Sequence, residues 1–369
     1  MPAPPPVAAS SSSLLLSRVL ALDPIALLAC ALFLMGVYFA LVLAAGSSPL
    51  ARIVLFKTSL FARSVRHLAL SREKSGWPKT RPDPDVVVAD VALSPPREKR
   101  VIFVRHGEST WNEVFNRGFG PGFPLRLAWG LLHEAAVIFS RGSFFVDAPL
   151  SHRGYRQARE LRAFLKTYEP TGDGTTTNPD AAALRGDVRS ILVGSNLRRA
   201  VATIAIGFWD RIARTREKII VHSALQEMAR NVDAYAIARR GEAVPLDGVE
   251  AKIGGGETMD QIPSCDARNN EGNKKVDRCG NDALLEFAAW VVENTKDADC
   301  VIVGGHSLWF KEFFKAFLPR RSDHVAKKKK IVNCGCVGFT LQAGRDDDGR
   351  VAYRIDPKSV DVIYGGFAK

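Results

Sequence analysis

Arg105 and His106 follow directly on the apolar run Val101-Ile102-Phe103-Val104 and are themselves followed by Gly107 and Glu108. Four consecutive β-branched or aromatic residues have the length and composition of a strand buried on both faces. Gly107 breaks that strand and lets the backbone turn toward a ligand. A guanidinium and an imidazole thus arrive at the carboxyl end of a parallel sheet, where open α/β sheets bind ligands. A second strand, Cys300 to Val303, leads through Gly304 and Gly305 to His306. A third, Ile191 to Val193, leads to Ser195 as the start of a helix. That start puts Arg199 in the first turn, near the positive end of the helix dipole and on the ligand side of the sheet. Two imidazoles and two guanidiniums gathered there suit an anionic ligand. Any one of them alone could belong to a buried ion pair; four at strand ends or helix starts are poorly explained that way.

Five segments, in order, resemble the successive motifs of the histidine phosphatase superfamily, which includes phosphoglycerate mutases and many phosphomonoesterases. They are Arg105-His106-Gly107-Glu108 after its strand, Asp147-Ala148-Pro149-Leu150-Ser151-His152-Arg153-Gly154, Ser195-Asn196-Leu197-Arg198-Arg199-Ala200, Leu225-Gln226-Glu227, and Val301-Ile302-Val303-Gly304-Gly305-His306-Ser307. The resemblance covers roughly residues 99 to 342. It implies a three-layer α/β/α fold with a mostly parallel central sheet, and hydrolysis of phosphomonoesters through a phosphohistidine, with no cofactor and no metal.

Phosphoryl transfer passes through a loose, metaphosphate-like state, so a catalyst chiefly positions the nucleophile and holds the equatorial oxygens. The resemblance assigns the nucleophile to His106 and the phosphate clamps to Arg105 and Arg199. It gives His306 a further hydrogen bond from the second strand, with the Ser307 backbone amide beside it, and puts Asn112 at a position that touches substrate. Glu227 becomes the acid that protonates the departing alkoxide and then, as carboxylate, activates water. Glu108 is its rival and reads better as a carboxylate orienting the cationic cluster. Arg198 points away from Arg199 on helical spacing and reads as a surface cation, while His133 and His152 read as solvated or structural.

The elements around these residues can be placed in chain order. Residues 1 to 23, rich in Pro, Ala and Ser, read as a disordered tail. Ile25 to Ala45 holds 21 residues without a charge, about 30 Å of helix and enough to cross a bilayer; the span is placed at 24–46. It is longer than the usual core of a cleavable signal peptide, and no polar stripe marks it as a buried helix. Arg18 stands almost alone before it, whereas Arg52, Lys57, Arg63, Arg66, Arg72 and Lys74 follow, so the positive-inside rule places the catalytic part in the cytosol on a single-pass anchor. Residues 47–98 read as a basic amphipathic helix, Ala51 to Leu70, suited to an anionic leaflet or serving as a spacer. A proline-rich linker follows, with a short strand at Val86 to Val88.

The catalytic domain, 99–369, carries two insertions. The segment 113–146 contains a helix from Leu125 to Phe139 that reads as an extra helix on the core, a lid, a substrate-selecting wall or a membrane-dipping element. The segment 229–280, with Gly254-Gly255-Gly256, reads as a partly ordered insertion; no Lys-Ser/Thr follows those glycines to make a phosphate loop. Further helices are expected at His152–Tyr168, capped by Ser151, at Asp282–Glu293 and at Trp309–Leu318. Further strands are expected at Ile219–Val221, Val337–Leu341 and Val351–Ile355, and a polar loop at 169–187.

The net charge of +12 favours phosphates or lipid headgroups. No basic module interleaved with aromatics points to nucleic acid, and nothing speaks to oligomeric state. Of six cysteines, Cys30, Cys300, Cys334 and Cys336 read as small buried hydrophobes, while Cys265 and Cys279 bracket a polar loop that a disulfide could close.

The leading reading is therefore a membrane-anchored phosphatase. A phosphoglycerate mutase is the alternative, but Asn116-Arg117-Gly118-Phe119-Gly120 shares only its opening Asn-Arg with the mutases' Asn-Arg-Phe-x-Gly-Trp stretch. Their Arg-Arg-Ser-Tyr-Asp segment is also replaced by Ala229-Arg230-Asn231-Val232-Asp233-Ala234-Tyr235. A tethered adaptor without catalysis would not need the complete set of catalytic residue types.

Overall fold

The computed structural model describes residues 24–73, 84, 97–168, 179–246, 265–345 and 349–368. The expected tail at 1–23, the strand at Val86–Val88 and the glycine run Gly254–Gly256 lie outside the described residues. The chain divides into two compact units, Met1–Ser59 and Leu60–Lys369.

The first unit contains helix α1 (Pro24–Ala44) and the start of α2 (Pro49–Leu70), both where the sequence places them. Among the described residues no helix is long and apolar enough to cross a membrane; the α1 side chains at 24–27, 30, 31 and 34 lie outside the described set.

The second unit is built on a sheet of β1 (Arg97–Arg105), β2 (Ser190–Gly194), β3 (Ile220–Val221), β4 (Cys300–Gly305), β5 (Cys336–Arg345), β6 (Val351–Ile355) and β7 (Asp361–Tyr364). The order is β3-β2-β4-β1-β5-β6, with β7 also on β5. Strands β3, β2, β4 and β1 run parallel, whereas β5 is antiparallel to β1, β6 and β7. Only β5 runs against the other six strands, so the sheet is mostly parallel as expected, and the half that carries the site is parallel throughout.

Helices cover both faces. On one side, α9 (Gly280–Asn294) and α10 (Ser307–Phe317) close a core in which Phe103 stacks on Phe310 at 4.1 Å and meets Trp309, Phe313, Phe314 and Phe339 edge-on. On the other lie α5 (His152–Thr167), α6 (Pro179–Arg185), α7 (Arg198–Gly207) and α8 (Trp209–Thr215). Ser151 caps α5 by accepting from Gly154 N at 3.2 Å, and Tyr155, Ala158, Leu161 and Leu165 bury one stripe of it. The remaining helices, α3 (Thr110–Phe115) and α4 (Phe123–Ala136), form the 113–146 segment.

Residues 60–73, which hold the end of the expected basic helix and the first residues of the expected linker, pack on the domain body: Leu60, Ser64, His67 and Glu73 are buried, His67 lies 6.0 Å from the Tyr235 ring, and Arg72 N donates to Val276 O. Likewise the described parts of 229–280 belong to the domain body, with Ala234, Ala236, Ile237, Ala238 and Val244 buried and Gln226 bonded to Asn273 and Lys274. Cys265 and Cys279 are free thiols, not a disulfide.

Candidate active site

The strand register brings the two histidines together. Arg105 pairs with Gly305 across β1 and β4, and Gly194 with Gly304 across β2 and β4, so His106, His306 and Ser195 leave neighbouring strand ends at nearly one level. His106 N donates to Gly305 O at 3.0 Å, and the two imidazole centroids are 5.1 Å apart. Gly107 serves this arrangement by close approach rather than by a turn. A Cβ there would sit 2.7 Å from Gly154 O, so the loop after β1 can lie against the start of α5 only because both residues are glycine.

His106 is buried, and its Nδ1 lies 2.6 Å from Gly107 O. A carbonyl can only accept, so Nδ1 carries the proton and Nε2 keeps a free lone pair. Burial, then the charges of Arg199 and Arg105, holds the ring well below the ordinary histidine range and keeps it neutral. His306 is likewise held low by burial and Arg199; its Nε2 lies 2.9 Å from Ser195 Oγ, and its Nδ1 is buried without a hydrogen-bond partner.

Each guanidinium is anchored at one edge. Arg105 donates from Nη1 to Ile331 O at 2.7 Å, and Arg199 from Nη1 to Asp233 O at 2.8 Å, with Nη2 3.3 Å from Asp233 Oδ2. The Nε of each is buried and unpartnered. Buried N–H groups are rarely left so unless a ligand meets them.

Glu227 completes the cluster. Its Oε1 accepts from Met228 N at 3.1 Å and from Trp309 N at 3.3 Å in the first turn of α10. The ligating atoms of His106, Glu227 and His306 lie within 4.8 Å of one another, a grouping with the donor set for a metal ion. The guanidiniums of Arg105 and Arg199 beside it oppose a dication and favour an anion. Glu108 faces elsewhere, accepting from Arg117 Nη2 at 2.6 Å and Ser151 Oγ at 2.8 Å. It thus orients Arg117 and the α5 cap, not the cluster of Arg105 and Arg199.

Ser307 opens α10 directly after His306 and is buried. Asn112 is half-buried in α3, its Oδ1 accepting from Asn116 Nδ2, and no contact between it and the cluster is among the described interactions. Arg198 is not a surface cation: it is buried, its N bonds Asp147 Oδ1 at 2.8 Å, and its Nη2 donates to Ser143 O at 2.6 Å. Asp147, in the left-handed region at φ 49°, also accepts from Ile237 N and so fixes the start of α7 beneath Arg199.

Four contributors were not singled out from sequence. Asp233 holds Arg199. Ser195, noted only as a helix start, holds His306. Thr203 Oγ1 receives Gly107 N at 3.0 Å. Lys274, buried against Glu73 at 2.6 Å, donates to the carbonyl of Glu227. Each acts across a long sequence separation, and Asp233, Thr203 and Lys274 have no motif of their own.

No family model and no curated protein matches the chain. Among solved structures it is similar to a mycobacterial glucosyl-3-phosphoglycerate phosphatase in complex with VO3, at 15% identity and a TM-score of 0.32, covering 70% of this chain and 97% of that one. It is similar to the ecdysone phosphate phosphatase of Bombix mori with tungstate, at 15% identity and a TM-score of 0.37, covering 73% and 97%. It is also similar to a phosphoserine phosphatase from Entamoeba histolytica with 3-phosphoglyceric acid, at 15% identity and a TM-score of 0.28, covering 65% and 90%. Likeness at this level does not bear on substrate or mechanism.

Proposed function

We propose that this chain is a membrane-anchored phosphatase that hydrolyses phosphomonoesters through a phosphohistidine at His106. The observation that carries the reading is the neutral His106, its Nε2 lone pair free, in a buried cluster with unpartnered N–H groups on Arg105 and Arg199 and an unpartnered ring nitrogen on His306. Those donors hold the equatorial phosphoryl oxygens. Nε2 attacks phosphorus as the ester oxygen leaves, Glu227 gives that oxygen its proton, and the resulting carboxylate takes a proton from the water that displaces histidine. Ser307 N adds a donor, and Asn112 meets the part of the substrate beyond the phosphate.

The anchor is α1. Its 21 residues, about 30 Å long, include no charge, and Leu28, Phe33, Met35 and Leu43 are exposed. The basic residues after it place the catalytic unit on the cytosolic side. Inorganic phosphate release by the full chain from sugar phosphates, phosphoproteins, and lipid or inositol phosphates tests the reading. Turnover of one class is expected; none from any class, or retention of the phosphoryl group on a bisphosphoglycerate, would contradict it.

The electrostatics give a pH test. Burial, opposed by Arg199, pushes the Asp233 carboxyl up to about 6, while burial and the neighbouring guanidiniums hold both site histidines well below their ordinary range. As pH falls through about 6, Asp233 gains a proton and the site loses one negative charge. Sulfate, which does not titrate in this window, should therefore inhibit about tenfold more tightly at pH 5 than at pH 7. A sulfate inhibition profile should show this rise, and Asp233→Asn should flatten it; a flat wild-type profile would contradict the assignment.

A further inference from the structure

Helix α4 is built inside out. Within it, the residues that face solvent are Pro, Ala, Leu and Trp only, with Leu125, Trp129, Leu131 and Leu132 between 56% and 76% exposed. At 100° per residue these positions span an arc of about 160°. The helix's three polar side chains turn the other way and are satisfied by the protein. Arg126 donates to the carbonyls of Val114 and Gly118, His133 Nδ1 donates to Trp129 O, and Glu134 Oε2 accepts from Ser143 Oγ, Phe144 N and Phe145 N. The apolar face continues through Phe119, Ile138 and Phe139, all exposed. Beside the helix, a partly open cavity of about 550 Å³ is lined by Trp129, His133 and Val137 and by Leu150 and Tyr155. The inner face packs through Gly130 and His133 on Phe144 and Phe145, and an outer apolar surface of this extent marks an interaction site.

We propose that the outer face of α4 lies in the interfacial layer of a phospholipid bilayer. The inference rests on the reading of α1 as an anchor. Two features favour lipid over protein. Cations flank the patch along the chain: Arg117, just before Phe119, and Arg141, just after Phe139, keep 37% and 57% of their side chains exposed despite acidic partners, as suits an anionic leaflet. Trp129 lies on the exposed face, and an indole sits well at headgroup level.

The test reconstitutes the full chain in phosphatidylcholine/phosphatidylserine vesicles containing a phosphatidylcholine with a photoreactive diazirine in its acyl chain, then maps lipid adducts by mass spectrometry. Adducts are expected at 125–139 as well as in α1. Leu125→Glu with Leu132→Glu should reduce the α4 adducts at least about fivefold while sparing those in α1 and the basal phosphatase activity. Adducts in α1 alone would overturn this inference and leave the anchor standing. Adducts in α4 alone would sustain it and remove the anchor, and adducts in neither would overturn both. A dimer in mild detergent that the same double variant abolishes would give the face to a second copy and overturn the lipid assignment.

Discussion

His106→Ala is expected to lose phosphatase activity by at least about 10⁴-fold and to lose acid-labile phosphoenzyme entirely, while keeping a cooperative melting transition. The imidazole presents an unprotonated nitrogen that can form a covalent bond to phosphorus, because its other nitrogen is held protonated by Gly107 O, whereas the Nε2 of His306 is engaged with Ser195 Oγ. Arg105, Arg199 and His306 would remain and still bind an anion, so phosphate or sulfate should protect the variant against thermal unfolding. The fold should survive because β1 is held by its ladders to β4 and β5 and by the aromatic cluster around Phe103, none of which needs the ring. Losing the single bond to Gly107 should cost about 1–2 kcal/mol. Phosphate release at the wild-type rate, or phosphoenzyme formed without residue 106, would refute the mechanism.

Glu227→Gln should separate the two halves of the reaction. An aryl phosphate such as p-nitrophenyl phosphate has a leaving group that needs no proton, so its first step should be nearly unchanged. Hydrolysis of the phosphohistidine, which requires the carboxylate as base, should slow by about 10²- to 10⁴-fold. A burst of nitrophenol should then be followed by slow turnover, with phosphohistidine accumulating. An alkyl phosphate should show no burst, because its first step also loses the acid. Glutamine keeps the acceptor for Met228 N and Trp309 N, so α10 should start where it does now. The same pattern from Glu108→Gln, with Glu227→Gln unimpaired, would transfer the role to Glu108; its bonds to Arg117 and Ser151 argue that it will not.

The cluster was legible in the sequence because each member terminates or begins a regular element. Buried apolar runs announce β1, β2 and β4, and a parallel register then makes their next residues neighbours. What the sequence did not announce are the partners that hold those residues. Asp233 lies in a short helical turn among polar residues, and nothing local shows that its carboxylate meets Arg199 34 positions earlier. Arg198 was misread because helical spacing alone turns it away from Arg199. Its inward path depends on Asp147, whose left-handed backbone aims two carboxylate oxygens at N–H groups from separate segments. β7 was missed because it is a half-exposed strand of four residues, too short for alternation to declare itself. Likewise α6 falls inside a stretch read as a polar loop, though Ala181, Ala183 and Leu184 bury it.

The central claim is that two imidazoles and two guanidiniums serve a single phosphoryl group. An orthovanadate complex of the full chain tests it most directly, since vanadate takes up the trigonal bipyramid of phosphoryl transfer. The account predicts vanadium bonded to His106 Nε2, with its equatorial oxygens on Arg105, Arg199 and His306 and an apical oxygen facing Glu227. Vanadate bound away from His106, or held by one of these histidines while the other turns from it, would contradict the account.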